Sequence, residues 1–159
     1  TDGHKAWIDR DKCIGCGDCL AMCPVRTIKF SWDDSATALQ RKMAEYATGA
    51  LSGKAGKAVF FNVILNVSPQ CDCFGNNDVP IVPDLGIMAS TDPVAIDMAA
   101  ADMVNEAAGE HGSVAHGLCC GDDKFARVAP GSDWRVQLTR AAEMGIGSTE
   151  YEIVKVLDR

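Results

Sequence analysis

Apolar positions along the chain fall into runs of distinct period. Residues 5–9, "KAWID", alternate and are short, which predicts a strand; residues 26–30, "RTIKF", predict a second. From residue 33 the period changes. Asp33, Asp34 or Ser35 offers a cap, and Ala36, Leu39, Met43, Tyr46, Ala47, Ala50 and Leu51 recur at helical spacing. The glycines of "SGKAGK" (residues 52–57) end that helix. Residues 58–67, "AVFFNVILNV", are apolar almost throughout and rich in β-branched and aromatic side chains, the pattern of a strand buried on both faces. A loop rich in Pro, Asn and Gly leads to a shorter strand over residues 83–90. A helix follows over residues 91–109, with Thr91 or Asp92 at its cap, Pro93 in its first turn and Gly109 at its end. Residues 110–132 read as loop. Trp134, Leu138, Ala141 and Ala142 mark one face of a last helix, and the alternating "YEIVKVL" (residues 151–157) predicts a closing strand.

Alternation of strand and helix after residue 33 predicts an α/β (or α+β) domain over residues 33–159, a mixed sheet with flanking helices. Residues 1–32 form a separate, cysteine-rich segment. No internal repeat or low-complexity run is apparent. Thr1 is not an initiator methionine, so a cleaved product or a fragment of a longer chain is expected.

Composition narrows the function classes. With 159 residues, 47% hydrophobic and 23% charged, the chain can bury an ordinary core. No apolar run approaches the roughly 18 residues of a membrane span. The formal charge is −7, from 15 basic and 22 acidic residues, which argues against nucleic acid as a partner. Eight cysteines would suit a disulfide scaffold, but their spacing does not.

That spacing is the strongest signal. In "DKCIGCGDCLAMCPVRTI" (residues 11–28), Cys13, Cys16, Cys19 and Cys23 are separated by two, two and three residues, and Pro24 follows. This is the CxxCxxCxxxCP pattern of a 4Fe–4S cluster. Thiolates are the soft ligands that iron–sulfur clusters and zinc take. Gly15 and Gly17 ease the curl of backbone round a cubane, Ile14 is placed to keep water from it, and Pro24 stops the local helical turn. A structural zinc site is the alternative, but zinc knuckles use two CxxC pairs split by a longer loop. In this pattern the first three cysteines serve one cluster and the fourth another. A second cluster is therefore expected, completed by a sister motif upstream of Thr1 or by cysteines further along. The remainder of the same protein, or a partner chain, would then sit against residues 13–23.

The motif resembles bacterial-type ferredoxin. The wider runs "FFNVILNVSPQCDCFGNNDVPIVPDLGIMASTDPVAIDMAAADMVN" and "DKFARVAPGSDWRVQLTRAAEMGIGSTEYEI" resemble the uncharacterised iron–sulfur-centre proteins, a family classed as a domain of unknown function. The resemblance runs from about residue 5 to residue 153. Family members are longer at the N-terminus, which implies that this chain is a C-terminal portion. It also implies clusters and electron transfer without an established reaction, and residues 1–32 as a ferredoxin-like segment, half of a two-cluster module.

The remaining cysteines, Cys71 and Cys73 in "QCDCFGNND" and Cys119 and Cys120 in "HGLCCGDDK", are weaker metal candidates. Small buried hydrophobe is the structural alternative for each. His111 and His116 read as exposed loop residues, Asp92 and Asp97 as a cap and a dipole partner, and Asp78 and Asp84 as turn formers. No nucleophile–base pair, phosphate loop or dinucleotide fingerprint is present. Two functions follow. One is an iron–sulfur electron-transfer protein of a reducing, anaerobic cytoplasm, with redox proteins as partners and neither nucleic acid nor membrane. The other is an oxidoreductase whose α/β domain binds a small substrate or cofactor, near residues 71–84 and 111–123, and receives electrons from the cluster.

Overall fold

The structure is a computed structural model that describes residues 7–14, 16–28, 36–71 and 75–156. The chain divides into two compact units, Thr1–Asp33 and Asp34–Arg159.

In the first unit, Asp9 nucleates a turn. Its carbonyl accepts from the N–H groups of Lys12 (3.2 Å) and Cys13 (2.9 Å), and its side chain accepts from the Asp11 N–H at 3.1 Å. A short helix α1 (Asp18–Met22) starts from Gly17, whose φ of 80° lies in the left-handed region where only glycine is unstrained. It ends at Cys23, extended at φ −73°, ψ 105°, as the residue before a proline prefers. The described part of this unit buries no hydrophobic side chain.

The second unit begins with α2 (Ala36–Leu51). β1 (Phe60–Ile64) and β2 (Gly86–Ser90) pair antiparallel, with Phe60 opposite Ser90 and Ile64 opposite Gly86. Then come α3 (Pro93–Glu106), α4 (Lys124–Val128) and α5 (Arg135–Glu143). Five helices and a two-stranded antiparallel sheet among the described residues make this a mixed α/β fold.

Helix α3 is the central element because both of its faces are apolar. Val104 packs with Ile64, Ile81, Val82 and Ala115, while Val94 packs with Ala44, Leu138 and Ala141. Asp92 caps it: Oδ1 accepts from the N–H groups of Val94 and Ala95, both at 2.9 Å. Oδ2 accepts from Ser148 N–H at 2.9 Å, which ties the chain after α5 to the start of α3. Gly147 passes so close that a Cβ there would lie 2.1 Å from Asp92 Oδ1.

Three expectations from the sequence change. The run over residues 58–67 is not buried on both faces. Phe61 (66% exposed) and Val63 (60%) face outward on the described chain, while Ile64 enters the core. Over the described residues of the predicted end strands, 7–9, 26–28 and 151–156, no strand is formed, and the rest of those segments lies outside the described residues. Period-2 alternation declares a face, but a strand also needs a neighbour to pair with. Finally, α4 falls inside the stretch read as loop. Asp123 caps it, accepting from Ala126 N–H at 2.9 Å, and fastens it to the start of α5 through Trp134 Nε1 (3.2 Å) and Arg135 (2.8 Å).

Candidate metal centre

Cys13 follows the Asp9 turn, Cys16 precedes the left-handed Gly17, Cys19 lies in α1 and Cys23 forms its C-cap. The first three are exposed and Cys23 is half-buried; none of the four is in a disulfide. Ile14 stands 83% exposed between Cys13 and Cys16, and Met22 and Val25 are also exposed. Gly15 lies outside the described residues.

Cys23 has the most developed surroundings. Its Sγ lies 3.5 Å from the Thr27 hydroxyl. Pro24 starts a turn in which Arg26 N–H donates to Cys23 O at 3.2 Å, and Arg26 takes a positive φ of 49°. The chain therefore curls back round the sulfur. The Thr27 hydroxyl, followed by the backbone N–H groups of Ile28 and Thr27, lowers the thiol from 9.0 to about 7; burial opposes this weakly, and the Val25 N–H adds a little. Convergent donors favour the anion, as in the backbone nests that bind anionic groups. The sequence offered one readable sign of this, a hydroxyl four residues past Cys23. The left-handed Arg26 left none.

The donor set fits a thiophilic metal group. Four thiols within eleven residues are soft ligands, and one is already poised toward thiolate. Among the described residues no three His, Cys, Asp or Glu side chains stand together as a single-ion site. A four-iron cube holds its thiolates farther apart than one ion does.

The weaker candidates lie in the second unit. Cys71 is exposed, and Cys73 lies outside the described residues. Cys119 and Cys120 are exposed on a turn closed by Asp122 N–H donating to Cys119 O (3.1 Å) and by Cys119 N–H donating to Asp122 Oδ2 (2.8 Å). Under this turn lies a residue the sequence reading passed over. Lys124 is 0% exposed, and its ammonium donates to the carbonyls of Asn105 (2.5 Å), Cys119 (3.0 Å) and Asp122 (3.3 Å). A lysine opening a short helix gives no sequence signal of burial.

Of the four aspartates only Asp92 takes the role expected of it; Asp97 lies beyond the first turn of α3, and Asp78 and Asp84 accept from backbone N–H groups outside any turn. Asp92 is the α3 cap. Asp84 accepts from Asn66 N–H and Asp78 from Val79 N–H, both at 2.8 Å. Asp97, one turn into α3, accepts from Asn62 Nδ2 at 2.8 Å. A cavity of about 660 Å³ lies between β2, α3 and residues 151–156, lined by Phe61, Ile87, Met103, Tyr151 and Val154 among others. Tyr151 donates to Asp102 at 2.7 Å, and that bond, with burial, pushes its hydroxyl up to about 12. Among the described residues no helix is long and apolar enough to cross a membrane.

Fold and site together define a mixed α/β protein with a cysteine-rich segment at its head. The chain belongs to the family described as Domain of unknown function (DUF362), whose profile matches residues 4–102. It is also similar to Ferredoxin-2 of Desulfomicrobium norvegicum, at 56% identity over 28 residues, 18% of this chain and 48% of the relative. The match thus spans about half the length of that relative. No solved structure matches the chain.

Proposed function

We propose that the chain is an iron–sulfur electron-transfer protein whose Cys13, Cys16, Cys19 and Cys23 hold a 4Fe–4S cluster. The observation that carries this reading is a mismatch within the first unit. Its described residues bury no hydrophobic side chain, yet they present four thiols in a tight spacing. Segments without a core of their own draw their folding energy from a bound metal group or cross-links. Similarity to a ferredoxin supports the same group.

Once bound, such a cluster takes up and releases one electron. The chain's own residues hold and tune it. Gly17 turns the backbone between Cys16 and Cys19. Thr27 and the amides after Pro24 keep Cys23 ready as a thiolate ligand. Ile14, Met22 and Val25 supply apolar cover or a docking rim for a redox protein.

The spacing assigns Cys13, Cys16 and Cys19 to one cluster and Cys23 to a second. Residues 1–32 are then half of a two-cluster module, completed by another part of the protein or by a partner chain against residues 13–23. Residues 33–159 form an α/β domain that docks redox partners in a reducing, anaerobic cytoplasm.

Iron and sulfide quantification with EPR, on protein reconstituted anaerobically, tests the reading. Cys16→Ser is expected to lose the cluster signal; retention of full iron and an unchanged spectrum would refute it. One cubane ligated by all four cysteines would overturn the division between two clusters.

The cavity of about 660 Å³ favours a second reading, an oxidoreductase whose α/β domain takes a small substrate or cofactor, since ligand sites fall in this size range; its lining includes none of residues 71–84 or 111–123, where the sequence placed that ligand. A chromophore other than the cluster in anaerobically purified protein would select it.

A further inference from the structure

We propose that His111 and His116 form a two-imidazole site for a divalent transition-metal ion, of the nickel, copper and zinc class, separate from the cysteine motif. Both side chains are exposed, and their rings meet edge to face with centroids 4.6 Å apart and planes at 73°. Imidazole nitrogen suits these ions. Two cis ligands, each about 2.0–2.1 Å from an ion, stand about 3 Å apart. Rings at 4.6 Å bring one nitrogen from each within that reach by rotation about the Cβ–Cγ bonds.

Two exposed histidines lose side-chain entropy on chelation, which weakens the site. Here the backbone beneath them is fixed. Gly109 N–H donates to Leu118 O at 2.9 Å and closes the loop at its neck. Glu110 N–H donates to Ile81 O at 2.9 Å and anchors the loop to the core. Inside it, Ser113 Oγ donates to Glu110 O (2.8 Å) and accepts from Ala115 N–H (3.1 Å), while His116 N–H donates to Ser113 O (3.1 Å). Ala115, fully buried, plugs into the cluster of Ile64, Ile81, Val82 and Val104. A Cβ at Gly109 would lie 1.9 Å from Ala115 O, so neck and plug pass in contact. The loop is thus a compact Ω-like unit that fixes the two histidine backbones before any ion arrives. Among the described residues no third His, Cys, Asp or Glu completes the set, so water fills the other coordination positions.

The test is a nickel titration of the whole chain, followed by paramagnetic broadening of histidine ring protons. A metal buffer sets free nickel, so thiolates elsewhere do not alter the midpoints. The chain has three histidines, and single substitutions assign their signals. The His111 and His116 signals are expected to broaden at one common midpoint. His116→Ala should raise the His111 midpoint by about 100-fold, and His111→Ala should do the same to His116, because each variant turns a chelate into a lone ligand. Separate midpoints, or a rise of less than about tenfold in either variant, would overturn the site.

Discussion

Thr27→Val isolates the physical cause of the lowered Cys23 thiol. Val matches the shape of Thr but removes the hydroxyl 3.5 Å from Sγ. Cys23 falls from 9.0 to about 7, and the hydroxyl is the largest of four donors responsible. Its loss should raise the midpoint above about 7 while leaving it below 9.0, since the three amides stay in place. The wild-type sulfur is half thiolate near pH 7, whereas a thiol at 9.0 is ionised to about 1% there. That is about a 50-fold gain in thiolate, and the lower basicity takes back about six- to tenfold through the Brønsted dependence. Cys23 in the metal-free chain should therefore react about five- to eightfold faster at pH 7 than an ordinary thiol. The assay is iodoacetamide labelling across pH, resolved by peptide mass spectrometry. A wild-type midpoint near 9, or a Thr27→Val profile that overlays the wild type, would refute the reasoning. The sign for stability follows. Because the folded midpoint lies below 9.0, the loop gains stability that is complete above about pH 9 and is lost as pH falls through about 7.

Lys124→Met keeps the buried stem but removes the ammonium that three carbonyls share. Gly121 N–H and Asp122 N–H still serve two of those carbonyls. Urea denaturation should show a loss of about 2–4 kcal/mol with faster amide exchange at Cys119; a loss under about 1 kcal/mol would show that the ammonium contributes little. Gly147→Ala drives a Cβ against Asp92 Oδ1 and Val94, and should lower stability by about 2–3 kcal/mol, whereas an unchanged thermal midpoint would show that the turn moves freely. In an alkaline titration followed by tyrosinate absorbance, one of the two tyrosines should titrate only near 12, and Tyr151→Phe should remove that step. Its folded midpoint lies above 10.0, so the bond to Asp102 stabilises fully below about pH 10 and is lost as pH rises through about 12.

Local rules of sequence were sufficient for much of this protein. Apolar residues at helical spacing and the Asp92–Pro93 start announced α2, α3 and α5, because a helix satisfies its own backbone and needs one buried stripe. The cysteine spacing that carries the proposed metal group is equally legible in the sequence, since ligand type and loop length are local properties. What depends on distant partners was not legible. The outward face of β1 and the unpaired residues 151–156 follow from which neighbours the fold supplies. The burial of Lys124 requires three carbonyls from two segments to converge. The contact between His111 and His116 exists because Ala115 is plugged into a core assembled from β1, α3 and the loop before β2. The lowered Cys23 thiol lies between these cases: Pro24 and Thr27 are written in the sequence, but the left-handed Arg26 that turns the amides toward the sulfur appears only once the chain is folded. Side-chain chemistry is local and was decided by sequence; burial, pairing and convergence are relations between segments, and the tertiary structure decided them.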